Sequence, residues 1–138
     1  YLEPHCAELF AERATEEEIQ ELEDCYYSML RHQNSDEKDY YSNRFHHLIA
    51  LGTKNSFIIK ITEYLDENML CHQILLSKNV QKKNFQVGAT YHYKILQAIK
   101  ARDKEMAGVY CRYHIRLGME LYRSVLEKQK AEKSKMTD

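Results

Sequence analysis

Three histidines stand where a helical reading of the chain puts apolar residues. Over 85–101 the apolar positions are Phe85, Val87, Ala89, Ile95, Leu96, Ala98 and Ile99, and His92 lies three after Ala89 and three before Ile95. The next segment repeats this, with His114 between Tyr110 and Leu117 in the stripe Met106, Tyr110, Leu117, Leu121 and Val125. An earlier segment carries Phe45, His46, Leu48 and Ile49. Residues three and four apart share a helix face. One such histidine reads as a hydrogen-bonded core residue. Three of them must each find partners for two ring nitrogens away from water, which is costly. A divalent metal between facing helices is one common partner. Imidazoles suit zinc, nickel, copper or iron rather than calcium. Three protein ligands leave a coordination position open to water or a carboxylate.

Ser42 and Asn43 lie four and three residues before His46 and can share its face. Tyr91, Tyr93, Tyr110 and Tyr113 flank the other two histidines, and one or two of them can turn a hydroxyl toward a ligand. His5, His32, His47 and His72 are expected at the surface. The chain has no Glu-x-x-His, no His-Glu-x-x-His, no glycine-rich phosphate loop and no nucleophile elbow. A general base beside the histidines is missing too, since Ser42, Asn43 and tyrosines are poor bases at neutral pH.

The elements that must bring these rings together are helices. With 4 Gly and 1 Pro in 138 residues, turns are few and elements long, and no alternating run suggests a strand. The apolar spacing predicts helices near 2–13, 15–33, 36–51, 55–76, 81–101 and 103–130. Thr15 and Glu18 form a capping box. Asn55 and Asp103 cap the fourth and sixth helices, and Gly52 closes the third. The charged stretch Glu127–Asp138 has no apolar stripe and is expected to fray. The fold class is therefore all-α, a single domain by length, with a helical domain over 1–130 and a charged tail over 131–138.

A net charge of −1 gives no basic footprint for nucleic acid. No stretch is long and apolar enough for a transmembrane helix. Cys6, Cys25, Cys71 and Cys111 form no Cys-x-x-Cys and read as packed, reduced thiols, which fits a cytoplasmic protein. The start at Tyr1, already helical in pattern, suggests a piece of a longer protein.

Several short pieces in order resemble one family. They are Leu2-Glu3-Pro4, Ala11-Glu12-Arg13-Ala14-Thr15, Phe45-His46, Ile49-Ala50, Asn55, His92, Ile95-Leu96, Ala98-Ile99, Asp103, Ala107 and His114. Together they resemble the C-terminal effector-binding (FCD) domain of the FadR branch of GntR-type transcription regulators, over roughly 2–126. The resemblance implies an antiparallel bundle of six to seven helices. It also implies a metal held by an Asp and three His, which helps to bind a small carboxylate effector. The three histidines match His46, His92 and His114. The Asp position of Asp-x-x-Phe-His is Ser42 here, and Tyr91 stands where a Glu often precedes the second histidine. The family's winged-helix DNA-binding domain is expected upstream of residue 1.

The leading expectation is thus a non-enzymatic sensor domain of a transcription regulator. It binds a small carboxylate at zinc or nickel on His46, His92 and His114, with Ser42, Asn43 and Tyr91 nearby. It works as a homodimer and meets DNA through the attached domain. The alternatives are a helical interaction module without metal or ligand, and a small metal-dependent hydrolase.

Overall fold

The computed structural model describes residues 2–65 and 82–135. Among the described residues every regular element is a helix. They are α1 (Leu2–Arg13), α2 (Glu16–Arg31), α3 (Glu37–Gly52), α4 (56–65), α5 (Lys82–Lys100) and α6 (Lys104–Lys135). The continuation of α4 to 76, with Met69, Leu70 and Ile74, and with Cys71 and His72, lies outside the described residues.

The local stop and start signals operate as the sequence implies. Thr15 Oγ1 accepts from the Glu18 amide at 3.2 Å, and the Thr15 amide donates to Glu18 Oε2 at 2.7 Å. Asn55 Oδ1 accepts from the amides of Phe57 and Ile58, and Asp103 Oδ1 from that of Met106. The end of α6 departs from expectation: the helix runs through Lys135. Glu, Lys, Gln and Ala all have high helix propensity, so this stretch needs no buried face to stay helical.

Gly52 is also used differently. It does not close α3 with a left-handed residue; Lys54 takes that conformation, at φ 57°. A Cβ on Gly52 would lie 2.2 Å from Cδ2 of Phe10, so the glycine is there to let α1 and α3 approach.

α1 is the central member. It packs on α3, α5 and α6, while α2 packs on α3 and α5, and α5 on α6. Its buried residues are Pro4, Cys6, Ala7, Phe10 and Ala11, with Ala14 buried just past its end. The facing side of α6 is small: Ala107, Gly108 and Cys111 are buried, and a Cβ on Gly108 would reach Glu8. The larger α6 residues Met106, Tyr110, Leu117, Leu121 and Val125, expected to form its inner stripe, are only half-buried. Close backbone approach requires the small residues inside and leaves the bulky ones to flank the seam.

The α5–α6 turn is a Schellman motif. The Asp103 amide donates to Ala98 O and the Arg102 amide to Ile99 O, each at 2.9 Å. Arg102 occupies the left-handed position, at φ 56°, where glycine is usual. Its guanidinium explains the choice. Nη1 donates to Ala14 O at 2.6 Å and to Ala11 O at 3.4 Å, and Nη2 pairs with Glu16. One side chain thus covers the end of α1 and the start of α2.

Candidate metal centre

α3, α5 and α6 each deliver one imidazole to a common point. His46 Nε2 lies 3.0 Å from His92 Nε2 and 3.1 Å from His114 Nε2. One nitrogen from each ring lies within 4.8 Å of the others. Two imidazole nitrogens bound at about 2.0–2.1 Å, with angles of about 90–110°, would stand about 2.9–3.4 Å apart. The observed separations fall in that interval. Three nitrogens of one chemical kind, converging from three helices, are the donor set expected of a site for a borderline metal such as zinc or nickel.

Packing fixes the rings. His92 is 3 % exposed and meets Phe45 edge-on at 4.8 Å between centroids. His46 stacks on His114 at 5.0 Å, and His92 lies 4.2 Å from His114. Burial also sets the charge. It drives His92 well below its ordinary 6.5, with His114 and His46 adding repulsion. His114 is pushed down to about 3 by burial and by His46, against the attraction of Glu3. Both rings are therefore neutral at pH 7, the form in which imidazole ligates. Their Nδ1 atoms are buried and have no hydrogen-bond partner among the described residues.

Glu3 of α1 completes the surroundings. Its Oε2 lies 3.0 Å from His46 Nδ1, and that atom is sealed from solvent although the side chain is partly exposed. Burial raises the Glu3 carboxyl, but attraction and hydrogen bonding from His46 outweigh it and leave it lowered. A cavity of about 10 Å³, lined by Glu3, His46, Thr62 and Cys111 among others, adjoins the carboxylate. Cys6 and Cys111 line the same cavity as protonated thiols, because burial pushes Cys6 up to about 11 and Cys111 higher still.

Sequence reasoning brought His46, His92 and His114 together; it missed Glu3. A signal was present, since Glu3, Cys6, Ala7 and Phe10 sit at helical spacing, placing a carboxylate on an otherwise apolar stripe. Ser42 and Asn43 are half-buried on α3, one turn before His46. Tyr91 stacks on Tyr113 at 6.4 Å, with the Lys94 ammonium 5.0 Å from its ring centre. Of the histidines expected at the surface, His5 is exposed, while His32 and His47 are half-buried. His32 donates through Nδ1 to Ser28 O at 2.8 Å and stacks on Tyr41 at 5.0 Å, so it closes α2 rather than standing free.

Among the described residues no helix is long and apolar enough to cross a membrane. No curated protein matches the chain. The profile of the FCD domain matches residues 1–117, which includes α1, α3, α5 and all three converging histidines. The chain belongs to the FCD domain family, the C-terminal effector-binding domains of GntR-type regulators.

Proposed function

We propose that this chain is the ligand-sensing part of a cytoplasmic transcription regulator of the FadR branch, controlled by a small organic acid. The observation that carries the reading is the convergence of three imidazoles, two of them held neutral, in the core of an FCD bundle. Nε2 of His46, His92 and His114 would hold a divalent ion, zinc or nickel, whose open position supplies an electrophilic seat for a carboxylate. Ser42 and Asn43, a turn before His46, offer a hydroxyl and an amide to the rest of that anion, and Tyr91 offers a phenol at the α5–α6 side. Ser42 is neutral, so the site keeps more positive charge than one with a carboxylate there, which favours an anionic effector.

The three ring-bearing helices give the site its leverage. An effector that prefers one arrangement of α3, α5 and α6 shifts the population toward it. In a two-fold homodimer that shift changes the spacing of attached winged-helix domains, and hence their fit to a palindromic operator. α4 supports self-association. Phe57 (70 % exposed), Tyr64 (66 %) and Leu65 (41 %) lie along one side of it, an apolar strip suited to a second copy of the chain.

The test is metal titration of chelator-treated, tag-free protein by calorimetry, with His92→Ala beside it. One Zn²⁺ or Ni²⁺ per chain is expected in the parent and none in the variant. Citrate should then raise the melting temperature of the loaded protein and leave that of the metal-free protein unchanged. Equal metal content in both proteins refutes the assignment.

A further inference from the structure

We propose that Glu3 is a positioning residue that sets the tautomer of His46, turning its Nε2 lone pair into the three-histidine cluster. The proposal rests on a proton inventory. A neutral imidazole has one N–H. At His46, Nδ1 lies 3.0 Å from a sealed carboxylate oxygen that no well-aligned hydrogen bond reaches; a lone pair there would face the negative charge whereas an N–H is drawn to it, so the proton belongs on Nδ1. His46 Nε2 is then an acceptor. It faces His92 Nε2 at 3.0 Å and His114 Nε2 at 3.1 Å, and the contacts are attractive only if those two nitrogens carry hydrogen. Their Nδ1 atoms are left as bare acceptors, in keeping with the missing partners there. The opposite assignment would place a lone pair of His46 against the Glu3 carboxylate and leave two unpaired buried N–H donors on His92 and His114. Unpaired buried donors are costly.

The metal-free cluster is therefore asymmetric. His46 is already in the form that ligates through Nε2, while His92 and His114 must each move a proton from Nε2 to Nδ1 before they ligate. Glu3 also supplies negative charge to a donor set of three neutral rings and a neutral Ser42, from a helix that carries none of the ligands. A carboxylate behind a ligating imidazole raises its basicity and fixes its orientation. The metal-affinity consequence rests on the proposed function; the tautomer assignment does not.

The test is ¹⁵N long-range correlation spectroscopy of the histidine rings in chelator-treated protein, followed by Zn²⁺ titration. The parent should show His46 as the Nδ1–H tautomer, and His92 and His114 as Nε2–H. Glu3→Gln retains an acceptor and should keep the His46 tautomer, whereas Glu3→Ala should convert it to a mixture. Zn²⁺ affinity should fall about 10–100-fold in Glu3→Ala, the range for losing a carboxylate behind a ligand, and less in Glu3→Gln. His46 in the Nε2–H form in the parent overturns the proposal, as does an unchanged His46 tautomer in Glu3→Ala. If the parent fails to take up Zn²⁺, the proposed metal site fails, and the tautomer measurement still decides the role of Glu3.

Discussion

Acid should destabilise the metal-free protein before its carboxylates titrate. The perturbation is a fall in pH from 7.5 to 4.5. His114 in the fold is held down to about 3, against 6.5 for an ordinary histidine. The unfolded chain therefore gains a proton near pH 6.5 that the folded chain refuses. The sign follows: stability is fully present above 6.5 and is lost as pH falls. Each pH unit with one proton of difference costs about 1.4 kcal/mol, so two units below 6.5 remove about 3 kcal/mol through His114. His92 is lowered for the same reason and adds in the same direction. Against a total of roughly 5–15 kcal/mol for a domain, that loss is large. Glu3, whose carboxyl is lowered from 4.5, contributes stability that is lost only below pH 4.5, so the windows separate. The assay is urea unfolding followed by far-ultraviolet circular dichroism at half-unit pH steps, in chelator. His114→Ala should lose about one proton from the slope. A parent curve flat to within about 0.5 kcal/mol between pH 7 and 5, or a slope unchanged in His114→Ala, would refute the burial argument.

Two glycines of the bundle should respond with opposite signs. Gly52→Ala forces a methyl into the Phe10 ring, which is 1 % exposed, and should cost about 1–3 kcal/mol despite better helix propensity. Gly118→Ala meets nothing within 4 Å and should stabilise by about 0.5–1 kcal/mol in the same urea assay. At the α5–α6 turn, Arg102→Ala should destabilise by about 1–2 kcal/mol through its lost bonds to Ala14, Ala11 and Glu16. Arg102→Gly relieves the left-handed backbone and should recover about 1 kcal/mol of that in thermal melts. For the α4 strip, sedimentation at micromolar concentration should show a dimer that Phe57→Glu dissociates without loss of helicity; a parent sedimenting only at 16.5 kDa would contradict the dimer.

What the sequence made legible was whatever is decided within one turn of helix. The Thr15 capping box and the Asn55 and Asp103 caps depend on neighbours two or three residues away. The three histidines were legible because each interrupts an apolar stripe, and because their order resembles a family pattern. Glu3 left only a partial trace, a carboxylate on an apolar stripe, since its contact with His46 exists only once α1 has docked on α3. Gly52 carried an ambiguous signal: a glycine near a helix end can supply a left-handed turn or make room for a ring. Only Phe10, 42 residues earlier in the chain, decides between them. The inner face of α6 was misjudged for a related reason. Hydrophobicity favoured Met106 and Tyr110, whereas the short distance to α1 selects Ala107, Gly108 and Cys111.

That tight seam makes Cys111 a clock. Its thiol is 1 % exposed and lies on α6 one turn before His114. Alkylation needs both access and a thiolate, and the closed bundle withholds both. The rate at which iodoacetamide labels Cys111, followed at that residue by peptide mass spectrometry, equals the intrinsic thiol rate multiplied by the fraction of time the α1–α6 seam stands open. A group that ties α6 to α3 and α5 through its histidine would lower that fraction, so the labelling rate reads occupancy of the buried site from a sulfur atom beside it.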